Sequence, residues 1–92
     1  MSEHRKTVAI TNNRGLHARA SAKFVTYVSK LPEGLSVKVA KDGTEVTGTS
    51  IMGLMMLGAA KGDSVEIIVE GHQSEAALEK LAGLVVDGFG ED

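Results

Sequence analysis

Ninety-two residues with a 42% hydrophobic share are enough for one small domain, residues 1–92, with a modest core. With no Trp, one Tyr and two Phe, that core must be mainly aliphatic. With no cysteine, there is neither a disulfide framework nor a thiol metal site. No charged start leads into an apolar run and no stretch reaches membrane-spanning length. A soluble, cytoplasmic protein is therefore expected, with no membrane insertion.

The net charge of −2 conceals an asymmetry along the chain. Residues 1–41 carry eight Lys/Arg and two acids, and residues 42–92 carry two Lys and ten acids. Such a basic share can steer an acidic or phosphorylated partner toward the molecule, or it can be an ordinary solvated surface. Nucleic-acid binding is disfavoured, because the total is acidic and the basic residues are not interleaved with stacking aromatics.

Residues 1–3 are expected to fray. Lys6 to Thr11 reads as a strand with Val8 and Ile10 on one face. Asn12-Asn13-Arg14-Gly15 is a loop signal, since Asn and Gly tolerate left-handed backbone angles. Leu16, Ala20, Phe24, Val28 and Leu31 then recur at helical spacing, which predicts a helix to about Lys30 with Ser21, Lys23 and Ser29 on its outer side. Lys30 suits the helix C-terminus, and Pro32 with Gly34 stops it. Leu35, Val37 and Val39 alternate with Ser36, Lys38 and Ala40 as a half-buried strand, and Asp42-Gly43 is a strong hairpin signal. Glu45 to Thr49 returns as a third strand, with Val46 inward and Gly48 weakening its end.

Ser50 opens a short helical turn in which Ile51, Leu54 and Met55 have helical spacing. Gly58 to Asp63 is a loop, and it lacks the residue order of a phosphate loop. Val65, Ile67 and Val69 face inward on a fourth strand. Gly71 to Gln73 turns the chain, and Ser74 is placed as the cap of the last helix, whose core stripe is Leu78, Leu81, Ala82 and Val85. Gly88 ends that helix, and the acidic tail is expected to be mobile. His4 and His72 read as surface residues. Strand, helix, two strands, short helix, strand, helix is an α+β order, an antiparallel sheet with helices on one face.

The chemistry concentrates where the first helix begins. His17 lies at or next to its N-cap, where backbone N–H groups have no intrahelical partner and the helix dipole is positive. A phosphate held there would meet the N–H donors of Ala18, Arg19 and Ala20 and the forked guanidinium of Arg19. A neutral imidazole is a good nucleophile near pH 7. On the residues alone His17 has two readings, a capping or surface residue and a phosphoryl acceptor. Ser50 is an N-cap or a kinase target. Met52, Met55 and Met56 either fill a small core or leave Met52 and Met55 on an adaptable contact patch beside His17. No acidic cluster with ligand spacing surrounds the histidine, so neither metal nor cofactor is expected. No second acid/base group or nucleophile pair makes His17 part of an enzyme in its own right.

Gly15-Leu16-His17-Ala18-Arg19-Ala20-Ser21-Ala22-Lys23-Phe24-Val25 resembles the active-site signature of the histidine-containing phosphocarrier protein (HPr) family of the bacterial phosphotransferase system. Ser50-Ile51-Met52-Gly53-Leu54-Met55-Met56-Leu57-Gly58 resembles the same family's regulatory-serine segment, at similar spacing. The resemblance implies an open-faced β-sandwich of four antiparallel strands and three helices in the order βαββαβα. It implies a phosphoryl carrier rather than an enzyme. Enzyme I would phosphorylate His17, and a IIA-type domain would receive the group. Arg19 and the N–H groups of Ala18, Arg19 and Ala20 would hold the phosphoryl, Ser50 would be open to a serine kinase/phosphorylase, and Met52 and Met55 would contact partners. The carrier is expected to be a monomer. The family usually has proline where this chain has Ala20. Alanine keeps helix propensity and restores an N–H in the first turn, and its presence resembles the nitrogen-related branch more than the sugar-uptake branch. The competing reading is a non-catalytic α+β docking module that binds a partner through the Met52–Met56 segment.

Overall fold

The computed structural model describes residues 2–91. Its elements run β1 (Glu3–Ala9), α1 (Ala18–Ser29), β2 (Ser36–Lys41), β3 (Thr44–Thr47), α2 (Ile51–Met56), β4 (Ser64–Glu70) and α3 (Ser74–Val86), with a 3-10 turn at Gly88–Gly90. The four strands form one sheet in the order β1-β4-β2-β3, and every neighbouring pair is antiparallel. The helices cover one face and leave the other open, so the expected α+β open-faced sandwich is the fold found.

Alternation sets which face is covered. Val8, Val37, Val39, Val65, Ile67 and Val69 join Phe24, Leu54, Leu81 and Val85 in one core. Phe24, the large side chain of α1, is 1% exposed. Its truncation to alanine would cost about 3–5 kcal/mol. The open face carries charges that meet across diagonal positions of the sheet and along β1. Arg5 donates to Glu3 and Glu66, and Lys38 stands 3.9 Å from Glu45. Ile68 is buried on this open side, flanked across the sheet by Arg5 and Lys38, residues whose aliphatic stems suit such a neighbour. Because β1 and β2 both flank β4, the basic first half and the acidic second half of the sequence interleave, and much of the charge asymmetry cancels locally.

Asp42 and Gly43, both with positive φ (51° and 84°), make the two-residue hairpin loop between β2 and β3. Several sequence expectations need correction. The first strand spans Glu3–Ala9 rather than Lys6–Thr11, because β4 is long enough to pair back to Glu3 opposite Glu70. Of the residues expected to fray, Glu3 is therefore in the sheet, and Met1 lies outside the described residues. The third strand ends at Thr47 rather than Thr49. Gly48 is there for packing, since a Cβ would come within 2.7 Å of Val37 Cγ1 and 3.2 Å of Phe24 Cε1.

Ser21 is 0% exposed instead of facing outward, and its hydroxyl donates to the Leu16 carbonyl. Ser74 is the first residue of α3, not its cap. The cap is Gln73, in left-handed backbone and without a side-chain cap bond. The Ser74 hydroxyl instead meets His4 Nδ1 at 2.7 Å, which makes His4 a partly buried contact rather than a plain surface residue. No helix of the described residues is long and apolar enough to cross a membrane.

Candidate functional site

The loop before α1 is closed by its own side chain. The Gly15 N–H donates to the Asn12 carbonyl at 3.2 Å, and Asn12 Nδ2 donates back to the Gly15 carbonyl at 2.8 Å. Gly15 has φ +62°, and a Cβ there would lie 2.2 Å from the Ala59 carbonyl oxygen. The Leu16 N–H donates to that same oxygen at 3.0 Å. Only glycine lets the loop after α2 approach so closely, and that approach fixes the direction in which α1 starts.

His17 is the N-cap of α1, with extended backbone (φ −75°, ψ −177°). Its Nδ1 accepts from the Arg19 N–H at 3.3 Å, an imidazole doing the work usually done by a side-chain oxygen. The first intrahelical bond runs from the Ser21 N–H to the His17 carbonyl. The N–H groups of Ala18, Arg19 and Ala20 therefore precede the helical ladder and cluster at its positive end. The ring is half-buried, its side chain 21% exposed. Nδ1 and the first-turn donors thus share the helix mouth. Arg19 is exposed, and it lines an open basin together with Asn13, Arg14, Lys23, Gly90 and Glu91.

The tail was expected to be mobile, but the described part is held against this site. Gly88, Phe89 and Gly90 all have positive φ (68°, 58° and 73°) and turn the chain back. Phe89 is 2% exposed and inserts into the core, while Lys23 Nζ donates to its carbonyl at 2.8 Å. Glu91 then meets His17 Nε2 with both oxygens, at 3.1 and 2.9 Å. Asn12 Nδ2 also donates to Glu91 Oε1 at 3.1 Å. The hydrogen bond from His17 holds the Glu91 carboxyl below the usual carboxylate range, helped by Asn12 and by the charge of Lys23, while partial burial opposes this. Asp92 lies outside the described residues.

Asn12, Lys23 and Glu91 are the site residues that sequence reasoning passed over. Nothing in local periodicity links Glu91 to a residue 74 positions earlier. The one available signal was Phe89, an apolar aromatic in an otherwise polar end, which has reason to fold back.

Ser50 caps α2, its hydroxyl accepting from the Gly53 N–H at 2.9 Å. Met52 and Met56 are 69% and 80% exposed, and Ile51 and Met55 are exposed too, while Leu54 and Leu57 face the core. The methionines are thus an exposed apolar face and not core filling. That face belongs to a helix packed on α1 and followed by the loop that Leu16 and Gly15 touch. Among the described residues, no group of three or more His, Asp or Glu is placed to hold a metal ion.

Residues 4–87 match the family model described as the PTS HPr component phosphorylation site. The phosphocarrier protein HPr of Neisseria meningitidis is 42% identical over 95% of this chain and 96% of its own length. The phosphocarrier protein NPr of Escherichia coli is 37% identical over 96% of this chain and 97% of its own. The crystal structure of HPr-C-His from Thermoanaerobacter tengcongensis superposes with a TM-score of 0.86 at 40% identity, covering 100% of this chain and 99% of that one. The chain belongs to the HPr family, the phosphocarrier proteins of the phosphotransferase system, and is a carrier rather than an enzyme.

Proposed function

We propose that His17 is the phosphoryl acceptor, charged by enzyme I and discharged to a IIA-type domain. The observation that carries this reading is the position of Nδ1, at the mouth of α1 and in contact with the Arg19 N–H. In the forward step the Nδ1 lone pair forms a bond to phosphorus as the bond from phosphorus to the donor breaks. The lone pair that received the Arg19 N–H is then used up. That N–H, with those of Ala18 and Ala20, is free to bind phosphoryl oxygens, and the Arg19 guanidinium adds a forked cationic donor. Charge stabilisation by fixed dipoles and one cation suffices for a group that must also leave, because a carrier needs near-balanced transfer in both directions.

Met52 and Met55 form the contact surface for successive partners, and flexible thioethers suit an interface that must fit more than one of them. Ser50 is the regulatory position. A phosphate there keeps the capping role but places a dianion beside the apolar face, opposing an acidic or phosphorylated partner. On this reading the carrier acts as a monomer in the cytoplasm, where it would meet its donor and acceptor. Relatives named HPr and NPr both span the chain, and Ala20 in the first turn favours the nitrogen-related branch. The rate of phosphorylation by a nitrogen-type against a sugar-type donor decides between them.

Incubation with enzyme I and phosphoenolpyruvate is expected to leave an acid-labile, alkali-stable phosphate on the chain and none on His17→Ala. Equal labelling of that variant overturns the assignment. The exposed face of α2 also suits the competing reading, a docking module in which His17 only caps. That reading predicts partner binding with no phosphohistidine by mass spectrometry.

A further inference from the structure

The side of the imidazole turned away from the helix mouth is as well defined as the side that faces it. A backbone N–H can only donate, so the Arg19 contact requires an unprotonated Nδ1. An ionised carboxylate can only accept, so the Glu91 contacts require the proton on Nε2. Two independent partners therefore select one tautomer of His17, the one whose lone pair lies at the helix mouth.

Glu91 is itself held on several sides. Asn12, 1% exposed, directs both its amide hydrogens to functional acceptors, Glu91 Oε1 and the Gly15 carbonyl, and its own Oδ1 has no hydrogen-bond partner among the described residues. The buried Phe89 two residues earlier pins the segment, and Lys23 binds the Phe89 carbonyl. The charged groups around the carboxylate are His17 and Lys23 of α1, with Arg14 and Arg19 lining the adjoining basin.

We infer that Glu91 is a positioning residue for phosphoryl transfer at His17. Its carboxylate keeps the proton on Nε2, leaves the Nδ1 lone pair for phosphorus, and balances the positive charge the ring acquires as the new bond forms. This rests on the carrier reading above. In the step, the Nδ1 pair forms the nitrogen–phosphorus bond while the donor's bond to phosphorus breaks and its electron pair returns to the donor. The Nε2 proton stays in place, and the phosphoimidazolium faces an anion already there. In the discharge step the acceptor attacks phosphorus, the pair returns to Nδ1, and the same carboxylate faces a neutral ring again. A carboxylate behind a histidine does this orienting work in other sites, and its loss behind metal-ligating histidines lowers affinity or activity roughly 10–100-fold.

The test uses the full chain with Glu91→Gln, Glu91→Ala and Glu91→Asp, each checked for folding by circular dichroism. Nitrogen-15 spectra of histidine-labelled protein are expected to show His17 protonated at Nε2 in the parent and a tautomer mixture in Glu91→Ala. Phosphorylation by enzyme I and phosphoenolpyruvate is expected to slow on the order of 10–100-fold in the Gln and Ala variants, with Asp restoring part of the rate. A parent that is labelled, but no faster than Glu91→Ala, overturns the inference and leaves the carrier reading intact. A parent carrying its proton on Nδ1 overturns it as well. A parent that enzyme I does not label at all overturns the carrier reading, and the inference falls with it.

Discussion

His17 and Ser50 occupy the same structural position on two different helices. Both have extended backbone, and both accept from a first-turn N–H, the ring from Arg19 at 3.3 Å and the hydroxyl from Gly53 at 2.9 Å. The environments differ. α1 has 12 residues and its capping ring is backed by Glu91, whereas α2 has six and its cap lies beside exposed methionines. Ser50 makes the shorter and more ordinary cap, while the ring cap is longer and keeps a nucleophilic nitrogen at a dipole end. Capping geometry is therefore common to both serine and histidine; what differs is what stands behind the cap.

Four experiments would break or sharpen that contrast. The largest effect belongs to His17→Ala, which should abolish phosphohistidine formation while costing about 0.5–2 kcal/mol for the lost N-cap, together with the Glu91 contact; labelling and urea denaturation measure the two. Next is the glycine pair. Gly15→Ala must place a Cβ against the Ala59 carbonyl at positive φ, which costs about 1–2 kcal/mol for the backbone and about 1–3 for the clash. Gly53→Ala has normal helical φ and a nearest approach of 3.1 Å, to Ser50 Oγ, and should change the urea midpoint far less. A reversed order would show that the loop at Ala59 does not hold the start of α1.

Ser50→Ala should cost about 0.5–2 kcal/mol and leave the labelling rate of His17 unchanged. Ser50→Asp should keep the cap at nearly parental stability yet slow phosphorylation. If both variants are labelled at the parental rate, charge at Ser50 does not regulate partner approach.

The smallest effect is the pH dependence of the Glu91 contact. Its carboxyl is depressed in the folded chain, chiefly by the His17 hydrogen bond. It therefore contributes stability that is fully present above the ordinary carboxylate range and is lost as pH falls through the depressed value. The stability difference between parent and Glu91→Gln should be open near neutrality and close in acid. A difference that persists unchanged in acid would show that packing, not charge, holds the tail.

The readable parts of this molecule were those whose signal is local. Alternation of Val37 and Val39, the Asp42-Gly43 turn, the Ser50 cap and the helical spacing from Leu16 to Phe24 each act within a few residues, and each appears as expected. Ser21 was expected on the outer side of α1 and Ser74 as the cap of α3, and neither serine does that work. Serine is polar in composition, yet here each hydroxyl finds a buried or partly buried acceptor or partner, Leu16 O and His4 Nδ1. Gly48 does stand at the end of β3, which stops at Thr47, and it is a packing requirement against Val37 and Phe24 as well.

Periodicity, turn chemistry and capping preferences are short-range, so the chain alone determined the element order, the sheet and helix faces, and the placing of an imidazole at a helix start. Partners on the far side of that imidazole are set by long-range closure. Burial of Phe89 and three consecutive positive-φ residues bring Glu91 back across 74 positions to Nε2, with Asn12 and Lys23 holding it there. Folding decided which nitrogen carries the proton, because a tautomer follows from where donors and acceptors stand in space and no residue spacing encodes that.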